Sequence, residues 1–214
     1  IIKRTTGGDF ELSFKLPEVN LSHVKKLTTE IGMIQFAKIN IPDTSTGYTL
    51  DDNARAMVAV CQHFVITGDE EDIRLIRIYN DFIRRCLQPE GNFLNYMDID
   101  LNFTTQNNET NLEDSNGRAI WALGYLLANR GYLPADIVCI ADEVFEKAIQ
   151  NAKNIYSTRA MAFIIKGLYF AGLKMHKEHH VALINILGQR LLKMYLHEAE
   201  SSWQWYESYL TYGN

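Results

Sequence analysis

The sequence predicts an all-α fold, an α/α toroid or barrel of helical hairpins, and three observations carry that expectation. Only four prolines interrupt 214 residues, so long helices are permitted. Several segments repeat apolar residues at helical spacing. Those segments are of two kinds, and the kinds alternate. Residues 52–66, 115–128 and 157–173 are apolar almost all the way round after their first turn, whereas 70–87, 134–151 and 178–197 keep a charged face. A helix apolar on every side is enclosed by protein, while an amphipathic one faces water. The alternation therefore predicts inner helices backed by outer ones.

Taken in order, residues 21–37 read as a first outer helix, followed by a long loop, 38–50, into the first inner helix. Thr67-Gly68-Asp69 is a tight turn into the next outer helix. Residues 88–114 form a second long connection, in which 91–100 alternates like a short hairpin strand. Asn129–Leu133 is again a short turn. The inner segments share a start: Asn53-Ala-Arg55-Ala56, Asn116-Gly-Arg118-Ala119 and Ser157-Thr-Arg159-Ala160. Asn and Ser near a helix start bond its orphan N–H groups. Parallel inner helices would gather these starts at one mouth, and the long loops fall on that side. Residues 203–210 resemble the start of a fourth inner helix. The chain is expected to be one domain, 1–214, that stops about halfway round a larger ring.

Lys and Arg number 21 against 26 Asp and Glu, a net charge of −5, and no basic run offers a nucleic-acid surface. No apolar stretch reaches the roughly 20 residues of a membrane span. A 47% hydrophobic content excludes intrinsic disorder. Cys61, Cys86 and Cys139 lie in apolar helical patterns and are expected to be buried free thiols. The chain opens at Ile1 rather than Met, which reads as a processed product or an excised piece, and a cytoplasmic location is the expectation.

Three acidic or aromatic clusters fall on the mouth: Asp51-Asp52-Asn53, Glu113-Asp114-Ser115-Asn116 and Trp203–Glu207. Two carboxylates flanking a scissile bond are the minimum for glycoside hydrolysis, and tryptophan and tyrosine give flat faces for sugar rings. The catalytic candidates are Asp52, Glu113, Asp114 and Glu207. Tyr48, Asp51, Asn53, Asn116, Trp203 and Trp205 are the candidate substrate contacts. Acids at helix starts are also favoured by capping and the helix dipole alone, so each has two readings. Arg55, Arg118 and Arg159 recur one turn into apolar helices, where a buried charge needs a partner. They are expected to form a structural ion-pair ring with the neighbouring acids. His176, Glu178, His179 and His180 read as a solvated cluster, because no facing pair of histidines accompanies them. No metal or cofactor is expected. An Asp-rich prenyl-diphosphate site is disfavoured, since Arg55 occupies the position of a third carboxylate.

The runs 47–56, 93–97, 113–124 and 203–214 together resemble a bacterial helical-toroid family, six-hairpin glycosidase-like, whose members often accompany a glycosyltransferase domain in mannoside metabolism. The resemblance covers roughly residues 20–214. It implies a toroid in a carbohydrate context: a glycosidase-like domain acting on or binding oligosaccharides such as mannosides, or a non-catalytic sugar-binding or scaffolding domain attached to a glycosyltransferase.

Overall fold

The computed structural model describes residues 17–199. Among these are eight α-helices: α1 (Ser22–Leu27), α2 (Leu50–Thr67), α3 (Glu71–Cys86), α4 (Gln106–Glu109), α5 (Glu113–Ala128), α6 (Ala135–Ala152), α7 (Thr158–Gly172) and α8 (Glu178–Glu198). The strands β1 (Ala37–Lys38), β2 (Ile41–Pro42), β3 (Tyr48–Thr49) and β4 (Tyr96–Met97) pair antiparallel, β1 with β2 and β3 with β4. The described chain is thus mostly helical. All six long helices begin and end within two residues of the bounds read from apolar periodicity. Among the described residues no helix is long and apolar enough to cross a membrane.

Residues 21–37 depart from expectation. Only Ser22–Leu27 is helical; beyond it the chain is extended, bridging Thr28 to Met33 and Ile34 to Tyr48. The cause is Asn53, in the first turn of α2. Its side-chain oxygen accepts the Met33 N–H at 2.8 Å, and its amide donates to the Met33 carbonyl at 3.4 Å. Gly32 makes this approach feasible, since a Cβ there would stand 2.7 Å from Asn53 Oδ1. Residues 91–98, in contrast, alternate buried and half-buried as a strand should. Phe93 bridges to Leu87 and Met97 to Phe103, closing the expected hairpin.

Consecutive long helices pack as three hairpins, α2–α3, α5–α6 and α7–α8. α2 packs on α5 and α5 on α7, forming an inner layer, while α3 packs on α6 behind it. The core lies between the layers and includes Met57, Leu75, Tyr79, Phe82, Leu123 and Phe145. α5 and α7 meet backbone to backbone. A Cβ on Gly117 would lie 2.7 Å from the Ala160 carbonyl oxygen, and one on Gly124 only 2.1 Å from that of Gly167. Because Gly117 faces Ala160 and Gly124 faces Gly167, the two helices run parallel and in register. Side-chain caps mark two inner starts: Thr49 Oγ1 accepts the Asp52 N–H, and Ser157 Oγ that of Ala160, both at 3.3 Å.

The thiols divide. Cys61 and Cys86 are buried, but Cys139 is exposed, contrary to expectation. It sits on the outward face of α6, within 3.6 Å of Glu143 Oε1.

Candidate site at the inner-helix mouth

The shared helix starts produce a ladder of ion pairs. Asp51, at the start of α2, receives the Arg118 guanidinium of α5, with Nη1 2.6 Å from Oδ2. One step along, Asp114 of α5 pairs with Arg159 of α7 at 3.2 Å. Each acid therefore reaches forward to the arginine of the next inner helix. Four residues before Arg55, Arg118 and Arg159 stand Asp51, Asp114 and Ile155, so the repeat supplies no third acid. Arg118 and Asp51 keep only 16% and 26% of their side chains exposed, which makes this the most shielded rung. Arg55 differs from expectation. Its side chain is 53% exposed and turns back along its own helix, to Asp52 at 2.6 Å and to Asp51, which it shares with Arg118, at 3.3 Å.

The other candidate acids are engaged as well. Asp52 Oδ2 accepts from Thr49 Oγ1 at 2.6 Å. Glu113 Oε2 accepts the backbone N–H groups of Tyr156, at 2.9 Å, and Ser157, tying the loop before α7 to the start of α5. Asp114 Oδ1 accepts from Ser157 Oγ at 2.8 Å. Every candidate carboxylate among the described residues has a partner within the chain.

Two proposed ligand contacts prove to be clamps on loop backbone. Asn53 is wholly buried, holding Met33 and donating to the Thr49 carbonyl at 2.7 Å. Asn116, also buried, accepts from Phe93 N at 2.7 Å and donates to the Phe93 and Leu112 carbonyls. With both ends of their amides in use, neither is free to bind a sugar hydroxyl. Tyr48 is buried too, its hydroxyl 3.1 Å from Thr29 Oγ1. It floors a groove of about 440 Å³ whose wall includes Phe36, Tyr96, Asp98 and Gln106. Trp203, Trp205 and Glu207 lie outside the described residues.

An aromatic stripe missed in the sequence continues from the ladder along α5 and α7. Trp121 stacks on Phe163 with ring centres 5.5 Å apart, and Tyr125 meets Phe170 edge-on at 5.0 Å. The guanidinium of Arg118 lies 5.2 Å over Phe163, and Lys166 Nζ lies 4.1 Å over Trp121. All four rings are half-buried, and Trp121 Nε1 is buried without a hydrogen-bond partner among the described residues. The available signal was an aromatic at Trp121 and again at Tyr125, one helical turn apart below Arg118.

The histidine cluster is also corrected. His180 is buried rather than solvated. Glu146 of α6 gathers His179 and His180 at 2.9 Å each and Lys177 at 2.7 Å. Burial pushes the Glu146 carboxyl up, but these donors outweigh it and bring its pKa down to about 2. Burial lowers the His180 pKa against the pull of Glu146.

A scan of family models gives no match to this chain, and a search of curated proteins likewise gives none.

Proposed function

We propose that this chain is a carbohydrate-active α/α-toroid domain, its three hairpins forming about half of a six-hairpin, glycosidase-like ring. In this reading the inner-helix starts and the stripe below them face an oligosaccharide of the mannoside class. The observation that carries it is the continuity of Arg118 from its ion pair with Asp51 to its place over Phe163. Polar groups for hydroxyls and aromatic faces for sugar rings thereby share one surface. The four-run resemblance to the helical-toroid family supports the same context.

One observation favours the non-catalytic alternative, a sugar-binding or scaffolding domain attached to a glycosyltransferase. Asp51, Asp52, Glu113 and Asp114 are all bonded to the chain's own groups, as capping and ion-pairing acids would be. Calorimetry with manno-oligosaccharides and a reducing-sugar assay on the same preparations separate the two. Loss of sugar release in Asp52→Asn, Asp114→Asn or Glu207→Gln, with melting unchanged, supports catalysis. Binding without release supports the scaffold. Absence of both from the wild-type chain refutes the carbohydrate assignment.

A further inference from the structure

A second cluster sits at the far end of α2, twelve residues beyond Asp51 and therefore about 18 Å along the helix axis. His63 of α2 places Nδ1 2.5 Å from Asp72 Oδ2 in the first turn of α3. Asp69, in the turn between them, brings a carboxylate oxygen into the same group, and the three donor atoms lie within 4.8 Å of one another. The decisive atom is Asp72 Oδ1. The Asp72 side chain is wholly buried, yet this oxygen has no hydrogen-bond partner among the described residues. A bare carboxylate oxygen in the interior carries a large desolvation cost, and a cation or water is its ordinary remedy.

The geometry points to a divalent metal site formed by His63, Asp69 and Asp72. One imidazole and two carboxylates suit Zn²⁺ best among common cations, with Mn²⁺ next. Ligands bound at about 2.0–2.2 Å stand roughly 3.4 Å apart in a tetrahedron, so the observed donors need shift by less than about 1 Å each. Asp72 anchors the ion from the interior. His63 and Asp69, with 12% and 40% of their side chains exposed, leave an approach from solvent. Lys25 stands nearby, 3.7 Å from Asp69, but its ammonium is bonded to Glu71 at 2.6 Å. The Glu146–His179–His180 group meets the same distance test. There, however, Lys177 already holds Glu146 Oε1 at 2.7 Å, so a resident cation supplies the charge. A metal at His63 would clasp the α2–α3 turn and act as a staple remote from the mouth.

The test uses the untagged full chain, stripped with chelator and titrated with Zn²⁺ by calorimetry and thermal melting. One Zn²⁺ per chain should bind and raise the melting temperature with concentration. Asp69→Asn is the key variant: an asparagine oxygen can still cap the Glu71 N–H that Asp69 Oδ1 accepts at 3.1 Å, while the anionic ligand is lost. Asp69→Asn and His63→Gln should both abolish the Zn²⁺-dependent shift, and circular dichroism of Asp69→Asn confirms its fold. His179→Gln should retain it. No shift in the wild-type chain overturns the proposal, as does a shift that survives Asp69→Asn or disappears in His179→Gln.

Discussion

The same substitution at two glycines should have opposite signs. In Gly124→Ala the new Cβ would stand 2.1 Å from the Gly167 carbonyl oxygen and 2.6 Å from its carbon. Non-bonded carbon contacts settle near 3.5–4.0 Å, so α5 and α7 must part by more than about 1 Å. Both partners at the contact are backbone, and neither can rotate away. Overpacking of this kind costs about 1–3 kcal/mol, and a rigid carbonyl places it near the upper end. Alanine returns about 1 kcal/mol of helix propensity, leaving a net loss of about 2 kcal/mol. In a chain of this length each kcal/mol moves the midpoint by about 2–4 °C, so Gly124→Ala should melt about 4–8 °C lower. Gly188, in α8, has open space where its Cβ would go. Gly188→Ala should therefore rise by about 2–4 °C from propensity alone. Circular-dichroism melts of both variants decide the matter. A Gly124→Ala protein as stable as wild type would refute the close α5–α7 packing.

Arg118→Met leaves the Asp51 carboxylate with Arg55 alone, 3.3 Å away on the exposed side, and should cost about 1–2 kcal/mol, discounted from a fully buried pair for partial exposure and the remaining partner; an unchanged melting temperature would count against the ladder. Glu146 has a folded pKa of about 2 against the ordinary 4.5, so its contribution is present above pH 4.5 and lost as pH falls towards 2. Denaturant titrations should show Glu146→Gln losing that part of the acid limb, whereas a curve parallel to wild type across the window would contradict it. Burial raises the Cys61 pKa to about 12 and raises that of Cys86, while a hydrogen bond to Glu143 raises that of exposed Cys139. A thiol reagent should thus titrate one group slowly in the native chain and three after denaturation; two fast native thiols would be incompatible with this burial.

Helix positions were readable because burial imposes period on sequence: the apolar runs of α2, α5 and α7 match the layer they occupy. Residues 28–36 were not readable, since their backbone partner is Asn53, distant in sequence and on another element. The arginines were read correctly as partners of acids, and Asp51–Arg118 shows why, for a charge between packed helices needs its opposite. What escaped was the exposure of Arg55, whose bonds to Asp51 and Asp52 stay within one helix and leave its guanidinium facing solvent. His180 and Glu146 escaped because they lie more than thirty residues apart on different helices. Asn95 and Asn107 gave no sequence signal, though both are buried among the loops.

Those asparagines change what a long loop means here. Asn107 accepts from Asn95 N and Tyr96 N and donates to the Tyr96 and Thr104 carbonyls. Asn95 Oδ1 then receives Asp51 N at 3.1 Å, and Asn116 and Asn53 grip the neighbouring strands. Amide protons of Met33, Phe93, Asn95 and Tyr96 should consequently exchange with deuterium as slowly as helical ones, although most lie outside regular structure. The loops beside the inner-helix starts are set when the chain folds. Whatever docks there meets loops with little freedom left to lose, and selectivity falls to shape rather than to adaptation.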